Sequence, residues 1–219
     1  FIQLLSGNDT VKIGDDLESE TSEIQIINFV DASSECNVTI VDTPGFDDSR
    51  SGVTDTDILK KITDFLLNQY DAQKKLNGLI FVQRISDPRF GGQSGRNLKM
   101  FRNLCGTNNY KNVVVLTTFW DRVDEEEGVK RESQLQSNFF KDLVAGGATF
   151  MRHDRTSPSS AYDVLQQIIP MPSTTVKIVQ EIREEGKALE DTAAGSYAAR
   201  RSRLSYPITR RKCRISKQS

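Results

Sequence analysis

Histidine is almost absent from this 219-residue chain. A single one, His153, excludes a metal centre built on several imidazoles, and a loop or surface histidine is a plainer reading than a catalytic base. Cysteine is scarce as well. Cys36, Cys105 and Cys213 are odd in number and widely spaced, so they fit neither a zinc framework nor a disulfide scaffold and read as reduced thiols. Long hydrophobic runs are missing too. The longest, GLIFV and NVVVLTTFW, have strand length and fall far short of the roughly 20 residues that cross a bilayer. No signal peptide opens the chain, so the expected compartment is the cytosol. Acid is missing from one end only. Residues 200–219 hold Arg200, Arg201, Arg203, Arg210, Arg211, Lys212, Arg214 and Lys217 with no acid, a charge of +8 that leaves −9 on the remainder. An acidic body with a basic appendage argues against a nucleic-acid-binding fold.

What is present is an alternation of strands and helices. FIQLLSG reads as the end of a helix closed by Gly7, and NDTVKIGDDLESETS as a loop. EIQIINFV and CNVTIVD read as two strands of a hairpin, the second the more buried. TDTDILKKITDFLLNQYDAQ carries Ile58, Ile62, Phe65 and Leu66 at helical spacing, with Thr54 or Asp55 as N-cap. NGLIFVQRI and NVVVLTTFWD are continuous apolar strands of the kind parallel sheets require, with the helix RNLKMFRNLCG between them. A charged helix over EEEGVKRESQLQSNFFKDLVA, a short strand GATFMRH and a helix SSAYDVLQQII complete the body. The order predicts an α/β domain over 1–170: a mostly parallel sheet with helices on both faces and the hairpin pairing antiparallel at one edge. Residues 171–199 are expected as a C-terminal helix, with Val176, Ile178, Val179, Ile182 and Leu189 apolar, and 200–219 as a solvated, disordered tail.

Two strand tips carry chemistry. The run TIVDTPGFDD ends a strand in Asp42, followed by Thr43, Pro44 and Gly45. A carboxylate at the carboxyl edge of such a sheet suits Mg²⁺, usually held through water. A glycine there lets its N–H approach a γ-phosphate with no Cβ in the way. The plainer alternative is a strand followed by a Pro-Gly turn. At the end of a later strand, LTTFWD presents Asp121, which suits the N1–H and 2-amino donors of guanine, a pair adenine does not offer. Trp120, the only tryptophan, suits either the face of a base or the core. Upstream, the hydroxyl of Thr21 in ESETSE is the best placed to reach a metal.

The order SETSEIQ, VDTPGFDD, LTTFWD resembles a P-loop GTPase of the translation-factor-related class. It is most similar to the septin and avirulence-induced (immunity-associated) GTPases, including the G-domain proteins common in fungal genomes, over roughly residues 1–170. The resemblance implies that Thr21 is the switch I metal ligand and that Asp42 and Gly45 form the Walker B and switch II pair. Asp121 reads guanine, with Thr118 and Phe119 in place of the usual Asn-Lys pair and Trp120 beside them. It places the fifth motif in HDRTSPSSA, where Arg155 and Thr156 are the candidates although the match is poor. It further implies GTP or GDP with Mg²⁺ as ligands and a homodimer or protein effector as partner.

Two departures bear on activity. No Gly-x-x-x-x-Gly-Lys-Ser/Thr occurs anywhere, and the chain begins at Phe1 inside what reads as the first helix. The first strand and the phosphate loop are therefore expected to be absent, and with them most of the N–H groups and the lysine that hold a triphosphate. The chain alone is expected to bind GTP weakly or not at all. Phe46 follows Gly45 where Ras-like enzymes carry a water-orienting glutamine, so no catalytic residue is assigned and turnover is expected to be slow, with any assistance coming from a dimer partner. The basic tail suits an anionic membrane surface. The rival readings are a nucleotide-free interaction module that uses the sheet as a scaffold and, more weakly, an ATPase of similar fold.

Overall fold

The computed structural model describes residues 1–7, 23–31, 33–46 and 53–205, the last five as backbone only. The body is a three-stranded parallel sheet in the order β3 (Leu79–Arg84), β4 (Val113–Thr118), β5 (Thr149–Arg152). All six residues of β4 are buried, as its unbroken VVVLTT run requires of a central strand. The equally apolar β3 lies at an edge instead, and its Val82 is 57% exposed.

Helices cover both faces. On one, α6 (Pro158–Ile168) packs Val164 against Val114 and Leu116 of β4, and Ala161 and Leu165 against Leu5 of α1 (Ile2–Ser6). On the other lie α2 (Asp55–Asp71), α3 (Gly92–Cys105), α4 (Glu125–Gln134) and α5 (Lys141–Ala145), around Val113, Val115 and Phe140. The charged helix expected over 125–145 is interrupted by a π-helical turn at Leu135–Phe139, which separates α4 from α5. Thr54 caps α2 in a capping box with Asp57. Gly7 closes α1 at φ 59, a left-handed turn that needs no Cβ.

The hairpin differs from expectation in two ways. β1 (Gln25–Asp31) and β2 (Cys36–Asp42) do pair antiparallel, yet among the described residues they form a sheet of their own that shares no strand pairing with β3. Apolar packing holds the hairpin in place: Phe29, Val38 and Ile40 meet Leu5, Ala161 and Leu165. The second expectation, that β2 is the more buried strand, is reversed. β1 contributes buried Ile27 and Asp31, whereas Cys36, Asn37 and Thr39 of β2 face solvent.

The segment expected as one helix over 171–199 is two, α7 (Lys177–Arg183) and α8 (Ala193–Ser205), joined through a short 3₁₀ turn at Leu189–Asp191. Both lie on α2 and α3, and Val176, Ile178, Val179, Ala194 and Ala198 enter the same core as Leu59 and Met100. The bend is fixed by Glu181, which is 3% exposed and accepts hydrogen bonds from Lys187 Nζ and from the Ala193 N–H that starts α8. No helix among the described residues is long and apolar enough to cross a membrane. Residues 206–219, most of the basic tail, lie outside the described residues.

Candidate functional site

Because β3, β4 and β5 run parallel, Arg84, Thr118 and Arg152 end at one edge of the sheet, and the loops beyond them form the candidate site. Past β4 the chain turns sharply. Phe119 adopts φ 62, a left-handed conformation rare for an aromatic residue. The turn directs Trp120–Arg122 into a 3₁₀ turn and puts the Asp121 carboxylate at the surface.

Three guanidinium groups gather on the Phe119 ring: Arg155 at 4.0 Å, Arg84 at 4.8 Å and Arg122 at 5.3 Å from its centroid. Arg155 also donates from Nε to Asp121 Oδ1 at 3.3 Å and from Nη2 to Oδ2 at 2.9 Å. Those bonds hold the Asp121 carboxyl below the usual carboxylate range.

Trp120 points into the protein. Its Nε1–H donates to Thr117 Oγ1 at 3.1 Å, the Arg152 guanidinium covers its ring at 4.1 Å, and Glu132 Oε2 accepts from Arg152 Nη2 at 2.6 Å. Glu132 is 8% exposed and its other oxygen lies 3.2 Å from Thr117 Oγ1, so carboxylate, guanidinium, indole and hydroxyl form one closed network under the Asp121 turn. The sequence offered no signal for Glu132 or Arg152, since each lies on a different element from the strand tip it supports.

Thr118 is buried on the α6 side of β4, with its Oγ1 unpartnered among the described residues. Beside β4, the His153 N–H donates to Thr117 O at 2.8 Å, and its ring, 1% exposed, sets Nδ1 at 2.8 Å from Ser160 Oγ while Nε2 has no described partner. The expected loop or surface histidine is thus a buried one. Burial pushes its pKa down to about 4, so it is neutral at physiological pH. The Phe1 ring meets His153 edge-on at 5.4 Å.

Asp42 ends β2 half-buried; on the other strand tip Phe1 packs edge-on against His153, and Arg155, two residues on, pairs with Asp121. Gly45 stands exposed in the turn after β2, and Phe46 packs against the main core. Thr156 uses its N–H and Oγ1 to bond Asp154 Oδ1 at 2.9 and 2.7 Å, shaping the entry to α6. Thr21 lies outside the described residues. No cluster of three or more His, Cys, Asp or Glu side chains suited to a metal occurs among the described residues.

No family model matches the sequence. GTP-binding protein A of Dictyostelium discoideum is 27% identical over 119 residues, which is 49% of this chain and 25% of that protein. The match thus spans a quarter of the relative's length. Among solved structures, Toc33 from Arabidopsis thaliana in complex with GDP and Mg²⁺ aligns with a TM-score of 0.59 at 14% identity, over 80% of this chain and 81% of that one. A structure of the chloroplast translocon components atToc33 and psToc159, whose dimerization is important for their GTPase activity, aligns at 0.57 and 15% identity over 78% of each chain. The fold is that of a GTPase G domain.

Proposed function

We propose that this chain is a guanine-nucleotide-binding G domain working as a switch, with Asp121 reading the base and Asp42 on the magnesium side. The observation that carries the reading is the Asp121 carboxylate, presented at the surface just past the carboxyl end of the central strand β4 by a turn that Trp120 anchors from beneath. The GTP-binding relative and the GDP- and Mg²⁺-bound neighbour add weight.

In this reading Asp121 accepts the N1–H and 2-amino protons of guanine. Thr156 lies beside the approach, Thr118 supports it from the buried end of β4, and Trp120 acts from beneath by stiffening the turn. Thr21 and Asp42 would hold Mg²⁺, which when bound neutralises charge on the phosphate oxygens. Gly45 leaves room for the terminal phosphate. Phe46 cannot polarise water, so hydrolysis to GDP is slow and depends on a group from a second copy, in the manner of septin and immunity-associated GTPases. No phosphate-loop motif occurs in the sequence, so the chain by itself holds nucleotide weakly.

Ligand-observed NMR with GDP and ADP tests the reading. The chain is expected to bind GDP more weakly than about 1 µM and to prefer it to ADP. Asp121→Asn is expected to lower GDP affinity by about tenfold or more, because the amide turns a donor toward the guanine donors, and to favour xanthosine diphosphate, whose 2-oxo group accepts. Equal binding of GDP and ADP, or an Asp121→Asn variant that keeps its GDP affinity, would remove guanine recognition.

A further inference from the structure

Guanine contains a guanidine unit, and its Watson–Crick edge offers a carboxylate two parallel N–H donors across one carbon. The Arg155 side chain offers Asp121 the same pair, from Nε and Nη2 at 3.3 and 2.9 Å. Its plane also lies on an aromatic face, 4.0 Å from the Phe119 centroid, as a base would stack. We infer that Arg155 is an intramolecular surrogate for guanine: it fills the Asp121 carboxylate while the site is empty and has to leave before a base can enter. The inference rests on the base-reading role of Asp121 proposed above.

Three observations make this more than a surface ion pair. Both oxygens of Asp121 are engaged by one fork, and a bidentate guanine would compete with Arg155 for that same edge of the carboxylate. The turn that presents Asp121 is anchored from below, by Trp120 on Thr117 and Arg152 on Glu132, so the carboxylate does not swing to a second partner at little cost. The Arg155 loop, by contrast, is exposed and follows β5 directly, and Thr156 and Asp154 keep their own bonds when the arginine side chain rotates away. Arg84 and Arg122 remain on the Phe119 ring in its absence. Arg155 is thus an affinity-setting residue that discriminates by chemistry. Adenine, unable to use the carboxylate, has no need to displace it.

Arg155→Ala and Arg155→Lys test the proposal against the unaltered chain, with GDP and ADP as probes. Removing a cation near an anionic ligand should by itself weaken nucleotide binding, so the expected sign is diagnostic. Arg155→Ala is expected to bind GDP about two- to fivefold more tightly, the range an exposed ion pair can withhold, with ADP affinity unchanged. Arg155→Lys keeps the charge but not the fork and is expected to gain nearly as much. GDP binding by Arg155→Ala at or below the level of the unaltered chain overturns the proposal, as does an equal gain for ADP or a lysine variant indistinguishable from the unaltered chain. Failure of all three proteins to bind GDP is a different result, and brings down the base-site reading itself.

Discussion

His153 is a buried imidazole that stays neutral because water cannot reach it to solvate a charge. Its pKa is about 4 in the folded protein against 6.5 unfolded, so between those values the unfolded chain binds more protons and stability rises with pH. The contribution is intact above about 6.5 and is lost as the pH falls toward about 4. The Asp31 carboxyl, held down to about 2 chiefly by the Ser34 and Ser33 hydroxyls, takes effect only at more acid pH. Urea unfolding across this range should show stability falling from pH 6.5 to 4, and His153→Gln should flatten that limb. An unchanged slope in the variant would assign the titration elsewhere. The sequence showed His153 as a lone histidine beside a strand; its burial comes from Phe1, which is distant along the chain, and from Ser160, on the helix that follows.

At the level of single elements, α4 shows how a helix can be shaped by a neighbour. Gly128 lies inside it, where alanine would ordinarily stabilise by about 1 kcal/mol. Here a Cβ would stand 2.8 Å from Trp120 Cζ3 and 3.1 Å from Cε3, so the helix carries glycine to let the indole lie flat against it. Gly128→Ala is therefore expected to destabilise, by about 1–2 kcal/mol net of the propensity gain, and to shift the fluorescence of the single tryptophan. Thermal unfolding with emission spectra checks both; a stabilised variant with an unmoved spectrum would show that the indole has room to yield. From sequence, Trp120 was open between base and core. The choice fell to Arg152 and Glu132, which hold the ring from β5 and α4.

For the molecule as a whole, α7 and α8 complete the core on which α2 and α3 rest. Ile178 is fully buried in the cluster that holds Leu59, Met100 and Val113. Ile178→Ala is expected to cost about 2–5 kcal/mol and to lower a single cooperative transition followed by circular dichroism. Two separate transitions would instead make the C-terminal segment an independent unit.

What could be read along the chain alone was whatever depends on near neighbours. The hairpin, the alternation of strands and helices, the Thr54 cap and the two strand-tip carboxylates all follow from side-chain period and turn chemistry. Tertiary structure decided the matters that join distant residues. Asp121 meets Arg155 across 34 positions, and among the described residues the hairpin keeps to a sheet of its own, set in place by apolar packing on α1 and α6 without ladder hydrogen bonds to β3. A pattern of periods says which way a side chain faces; which partner waits on that side is settled only when the layers close.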